Sequence, residues 1–564
     1  MDNKLIIYQV FTRLFGSNKT SPIPHGTRAQ NGCGHMADFT QKALEEIKNL
    51  GTTHIWYTGV IEHATQTDYS PFGIKSDHKA VVKGAAGSPY AIKDYYDIDP
   101  DLATSVPARM KEFSNLVKRT HQAGLKVIID FVPNHVARQY ASDAKPEGVK
   151  DLGEEDNKDL AFSPQNNFYY IPGESLHAQF DLQQGEPMPY NEYPAKATGN
   201  DNFSAWPGVN DWYETVKLNY GVDYCGGGAR HFGPETPSTW KKMRDILLFW
   251  AGKDIDGFRC DMAEMVPAEF WGWVIPQIKQ AYPHIIFIAE VYNPAEYRNY
   301  IFNGKFDYLY DKVGLYDTLR AVTCGYASAS DITRCWQSVD DIKEHMLNFL
   351  ENHDEQRLAS DFFAGNAACG KAPLIVSSCM GTNPMMIYFG QELGERGMDS
   401  EGFSGRDGRT TIFDYWTVDT VNRWRDGGKF TGKKLTEEEK ELQAFYAKVL
   451  QLCNEEKTIR EGSFYDLMYV NQDYNTFNPK KTYAFLRHSG KEVLLVVANF
   501  TNEERTVSVN IAEHAFEFLS LKSKEKTSSV DLLTGENLNI AFTPTAPCTI
   551  MLPAFSGRIL KIKQ

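Results

Sequence analysis

The hexapeptide Lys126–Phe131, KVIIDF, is a nearly continuous apolar run that carries a carboxylate, Asp130, near its end. Such a run has no polar face to give to water, so it reads as a strand of a parallel sheet covered on both sides. Parallel strands need crossover connections, usually helices. Further strand-like runs recur at Ile6–Phe11, Thr53–Thr58, Ile255–Arg259, Ile285–Ala289, Phe306–Tyr310, Met346–Leu350 and Met385–Phe389. Helical patterns lie between them. One covers about 39–50, with Phe39, Ala43, Ile47 and Leu50 on one stripe and Gly51 as its stop. A second is opened by Pro107 and stopped by Gly124, and turns Met110, Phe113 and Val117 inward. Ser238–Ala251 has Ser238 as its expected N-cap. Pro267–Ala281 follows, and Thr436–Leu452 opens on a Thr436/Glu439 capping box. Eight strands alternating with helices predict an α/β chain built on a (β/α)8 TIM barrel.

The rhythm breaks twice. From Val136 to Pro237 the chain is rich in Pro, Gly, Asn and aromatics, without a period. A plain loop that long is improbable inside a compact domain, so an inserted subdomain is expected after the third strand. Beyond about Thr458 short alternating strands replace helices: Tyr483–Arg487, Val493–Asn499, Thr506–Asn510 and Arg558–Ile562. They predict a C-terminal antiparallel β-sandwich. The expected organisation is a barrel from 1–135 and 238–457, an insert at 136–237, and a sandwich at 458–564.

Composition narrows the function classes. The net charge of −14 disfavours a nucleic-acid partner, which calls for clustered Lys and Arg. No apolar run approaches the ~20 residues of a membrane span. MDNKLIIYQV lacks the basic start and apolar core of a signal peptide, and the nine scattered cysteines have no metal-ligand spacing. A cytoplasmic protein with reduced thiols and no membrane partner is the expectation.

Four strand ends carry ionisable residues: Asp130–His135, Arg259 with Asp261, Ile288–Glu290, and Glu351–Asp354. Strand alternation puts Arg259 and Asp261 on one face. A cation and a carboxylate at the carboxyl end of a barrel strand mark a candidate site, although each pair taken alone also suits a structural ion pair.

The segments DFVPNH (Asp130–His135), GFRCDMAEM (Gly257–Met265), AEVY (Ala289–Tyr292) and ENHDE (Glu351–Glu355) resemble, in order and on strands three, four, five and seven, the four motif regions of the α-amylase superfamily of retaining glycoside hydrolases. The insert and the C-terminal β region match that family's domains B and C. The resemblance implies cleavage of α-glucosidic bonds in starch- or glycogen-derived glucans or oligosaccharides by two displacements. Asp261 would be the nucleophile, Glu290 the acid/base and Asp354 the carboxylate that supports the oxocarbenium-like transition state. Arg259 would keep Asp261 ionised, and an apolar setting would raise the proton affinity of Glu290. His135 and His353 match histidines that hydrogen-bond the sugar, and Asp130 a residue that positions the others. Tyr90 matches a tyrosine that stacks on the sugar, although Ser88–Pro89 replaces the usual His-Gly before it.

No cofactor is required for this chemistry. In many members the position of Asn134 ligates a structural Ca2+, which takes oxygen ligands. One departure concerns specificity: Glu264 and Met265 stand where many α-amylases have Lys-His facing the leaving group. Two other readings share these motifs. A transglycosylase uses the same covalent intermediate, and a non-catalytic scaffold would lose one of the three carboxylates.

Overall fold

The computed structural model describes residues 4–564, so the start of the N-terminal decapeptide lies outside the described residues. Eight parallel strands close into a barrel in the order in which they occur along the chain: Ile6–Phe11, His54–Thr58, Lys126–Phe131, Gly257–Cys260, Ile286–Ala289, Tyr308–Tyr310, Met346–Phe349 and Met385–Tyr388. The first strand pairs with the eighth as well as the second, Ile7 lying beside both Met386 and His54. The expected fold class is what the chain adopts. The fourth strand starts at Gly257 rather than Ile255, and the sixth is only three residues long.

Alternation along each strand separates two apolar layers. Ile7, Trp56, Ile128, Ile288, Tyr310, Leu347 and Met386 fill the barrel interior. Their neighbours Tyr8, Tyr57, Ile129, Phe258, Phe287 and Ile387 join the larger cluster shared with the helices. The same parity sends Asp130 and Arg259 inward, because Ile128 and Ile288 do so and Arg259 stands beside Asp130 and Ile288 in register.

The helices follow the expected stripes. Gln41–Asn49 is capped by Thr40, and Arg109–Gln122 begins after a short 3-10 turn that contains Pro107. Pro237, not Ser238, occupies the N-cap of Ser238–Ala251; Ser238 is the first helical residue. Glu437–Glu455 has the expected capping box between Thr436 and Glu439.

Residues 132–237 contain only short pairings. His135–Ala137 runs antiparallel to Thr215–Lys217, and Tyr170–Ile171 to Ala195–Lys196. His135 therefore belongs to a strand shared with the inserted segment. The C-terminal region is an antiparallel six-stranded sheet, in which Glu492–Asn499 lies between Thr482–Ser489 and Gly557–Lys563. A two-stranded ribbon, Arg505–Val509 with Cys548–Leu552, adds Val507, Val509, Ile550 and Leu552 to the buried cluster. All nine cysteines are free thiols, and among the described residues no helix is long and apolar enough to cross a membrane.

Candidate active site

The ladder continues one step beyond the regular strands. Asp261 N–H donates to Phe131 O at 2.9 Å, and Glu290 N–H to Cys260 O at 3.2 Å. This places Asp261 and Glu290 one layer above Arg259, on neighbouring strands and facing the same interior. All three are buried, at 5%, 3% and 0% exposure.

Arg259 is the centre of the cluster. Its Nη1 donates to Asp261 Oδ1 at 2.7 Å and reaches Asp130 Oδ1 at 3.5 Å, and its Nε donates to Tyr310 OH at 3.1 Å. Its Nη2 lies 2.8 Å from Glu290 Oε2, an ion pair without the alignment of a hydrogen bond. One guanidinium thus tethers two carboxylates from adjacent strands. Its planar fork allows this, and a lysine ammonium has no equivalent geometry.

Glu290 is not in the apolar setting expected from Ile285–Ala289. Besides Arg259, Met262 N–H donates to its Oε2 at 2.8 Å and Tyr292 OH to its Oε1 at 2.5 Å. Met262 reaches this position by adopting a left-handed conformation, φ 45°, which costs a non-glycine residue on the order of 1–2 kcal/mol. The strained residue directly follows Asp261, and its own N–H is the one that meets Glu290.

Asp261 departs from expectation as well. Arg259 does favour its ionised form. Burial and the charge of Glu290 act against this, however, and the net effect raises its pKa well above the usual carboxylate value. Asp354, one-third exposed at the cluster's edge, is pushed up to about 7 by burial and by the charge of Glu290. Asp130, Asp261 and Glu290 all lie within 3.5 Å of the one Arg259 guanidinium, so their charges are mutually coupled.

The other predicted residues surround this group. His353 Nε2 lies 3.2 Å from Asp354 Oδ2 and 2.6 Å from Tyr90 OH, and Gln9 Nε2 meets its Nδ1 at 2.8 Å. Burial, then the charge of Arg259, holds His353 well below its usual pKa, so its ring is neutral. The Tyr90 ring stacks on His353 at 5.2 Å and lies 5.5 Å from the Arg259 guanidinium. Asp130 accepts from Trp56 Nε1 at 2.9 Å and lies 3.5 Å from Arg259; burial pushes it up to about 6. His135 is buried beside Trp212, ring centres 5.3 Å apart, and burial together with the Lys217 charge lowers it to about 3.

Glu351, in the same motif as Asp354, is committed elsewhere: it pairs with Arg357 at 3.0 Å. In the connection that follows strand eight, Ile412–Trp416 is buried, and Tyr415 OH donates to Asp101 at 2.7 Å. Trp206 stacks on His177 and is 55% exposed. Tyr292, Tyr310, Trp56 and Gln9 are contacts that sequence reasoning missed. Only their inward strand parity, or the position two residues beyond Glu290, signalled them.

Asn134 is buried, but its side chain does not fit a Ca2+ ligand. Its Oδ1 accepts from Lys217 Nζ at 2.7 Å, and the same ammonium pairs with Asp201 Oδ1 at 2.6 Å. Ca2+ needs six to eight oxygens at about 2.3–2.6 Å, and a cation already stands between these two.

Residues 9–481 match the family model of the alpha-amylase catalytic domain. The chain is 22% identical to neopullulanase 2 of Thermoactinomyces vulgaris, over 95% of this chain and 74% of that protein. It is 22% identical to alpha-amylase 3 of Dictyoglomus thermophilum, over 90% and 86% of the two chains. The fold is similar to the crystal structure of an alpha-amylase from Geobacillus thermoleovorans complexed with acarbose, with a TM-score of 0.62, 18% identity and coverage of 100% and 98%. An alpha-amylase from Lactobacillus plantarum is also similar, with a TM-score of 0.60, 20% identity and coverage of 99% and 98%. The chain therefore belongs to the alpha-amylase catalytic-domain family, a family of glycosidases that hydrolyse α-glucosidic bonds.

Proposed function

We propose that this protein hydrolyses α-glucosidic bonds of starch-derived malto-oligosaccharides by double displacement. The observation that carries the reading is the Arg259 fork, which tethers Asp261 and Glu290 from neighbouring strands. Retention requires two carboxyl groups about 5–5.5 Å apart, and short tethers from one guanidinium suit that spacing.

Asp261 attacks the anomeric carbon while Glu290, as the acid, delivers a proton to the leaving oxygen. Glu290 then takes a proton from water, which releases the sugar from Asp261. Asp354 supports the positive charge that develops on the ring, with His353 and Tyr90 behind it. His135, neutral, faces the same sugar. The names of relatives, neopullulanase, cyclomaltodextrinase and alpha-amylase, support an α-glucan substrate.

Product chromatography on maltotriose tests the reading. Glucose and maltose in the wild type, with activity below about 1% in Asp261→Asn, are expected. Longer oligomers without net gain of reducing ends would make the protein a transglycosylase. More than a few per cent residual activity in Asp261→Asn on every α-glucoside would remove the assignment.

A further inference from the structure

The contacts of Lys217 go beyond filling a gap. Its side chain is 2% exposed. Its ammonium donates to Asn134 Oδ1 at 2.7 Å, pairs with Asp201 Oδ1 at 2.6 Å and lies 5.4 Å from the centre of the Tyr224 ring. Asp201 is itself in a left-handed conformation, φ 66°. The backbone of Lys217 faces His135 in register, so the cation sits where the inserted segment joins the end of the third barrel strand.

The chemistry of these partners fixes atoms that geometry alone leaves open. An ammonium has only donors, so the Asn134 atom facing it must be the oxygen. The other end of the amide faces Gly199 O at 2.8 Å, an acceptor, so it must be the NH2 group. That NH2 lies 3.0 Å from His135 Nδ1. A donor against Nδ1 makes Nδ1 the acceptor of a neutral ring, and the proton then sits on Nε2.

We propose that Lys217 is the resident cation of this junction, in the place of a divalent ion, and a positioning residue for His135: through Asn134 it sets the imidazole tautomer that offers Nε2–H to a sugar hydroxyl. The proposal rests on the reading of His135 as a sugar contact. It implies that the barrel–insert junction is independent of calcium, because the protein supplies its own positive charge.

Two arms test it. In the first, wild-type enzyme is measured in EDTA and in excess Ca2+. Thermal midpoint and kcat/KM on maltotriose are expected to agree within error; a Ca2+-dependent rise in either overturns the resident-cation claim, and this arm needs no variant. In the second, Lys217→Met and His135→Ala are combined in a double-mutant cycle. Each alone is expected to lower kcat/KM by about 10- to 100-fold, the scale of one charge-assisted hydrogen bond, with little further loss in the double variant. Independent, multiplying losses overturn the positioning role. If Lys217→Met does not fold, Asn134→Asp replaces it: the oxygen for Lys217 stays, the donor to His135 goes, and the same non-additivity is expected. Should His135→Ala cost nothing, the sugar-contact reading fails and the positioning role with it, while the Ca2+ arm still decides the cation.

Discussion

Oε2 of Glu264 accepts the backbone N–H of Tyr292 at 3.0 Å, and that of Asn293 at the same distance. By its place in the motif, Glu264 stands where the resemblance to α-amylases leads one to expect lysine. Its role here is to hold the turn that follows Glu290, and Tyr292 in that turn donates to Glu290 at 2.5 Å. The departure from the common pattern is therefore coupled to the acid/base.

Glu264→Lys replaces an acceptor with a donor and leaves two N–H groups without their partner. We expect kcat on maltotriose to fall about 10- to 100-fold, because the Tyr292–Glu290 hydrogen bond is misplaced. Tyr292→Phe should reproduce most of that loss, and the double variant should add little. A Glu264→Lys enzyme with unchanged kcat would show that the turn is held by other contacts.

Arg259→Lys retains one positive charge but not the fork. Asp261 or Glu290 must lose its tether, and activity should fall at least about 100-fold. Arg259→Met leaves buried carboxylates uncompensated, which is expected to destabilise the fold by about 3–5 kcal/mol in chemical denaturation. Equal stability of the Lys and Met variants would contradict the cluster's electrostatics.

Glu62 gives a pH signature away from the active site. Neither of its carboxylate oxygens has a hydrogen-bond partner, and the side chain is buried within reach of Asp94 and Asp97. Burial, then the charge of Asp94, pushes it up to about 9 from 4.5. Between those values the folded state holds a proton that the unfolded state has lost. Stability therefore falls as pH rises through this window, by up to about 1.4 kcal/mol per unit from this group. Glu62→Gln removes the term, so the variant's thermal midpoint should rise relative to wild type from pH 5 to pH 8. A constant difference across that range would refute the argument.

The barrel was legible because a buried parallel strand has a distinctive composition. KVIIDF and the IFIA of Ile286–Ala289 announce themselves, and parity then places Asp130, Arg259, Asp261 and Glu290 inside. Tyr308–Tyr310 is short and mixed, so its start was misplaced. Four C-terminal strands escaped notice, among them Lys524–Asp531, which lies between Gly557–Lys563 and Asn537–Phe542 in the sheet but has one exposed face, so its polar alternation looks like loop. The surroundings of Glu290 were misread for another reason. Its adjacent residues Ala289 and Val291 face the helices and Ile288 lies one layer below it in the barrel interior, whereas its contacts come from Met262, Tyr292 and Arg259. Lys217 lies 83 residues from Asn134, and only the tertiary fold brings that ammonium to the amide.

In the proposed reaction Asp261 forms a covalent bond to the sugar while Glu290 handles the proton. Glu290→Gln treated with an α-maltosyl fluoride isolates the first step, since fluoride leaves without a proton and the missing base stalls hydrolysis. Intact mass spectrometry should show one added maltosyl unit, and peptide mapping should place it on Asp261. A label on Asp354 or another side chain, or products of inverted configuration from wild-type enzyme, would rule out Asp261 as the nucleophile.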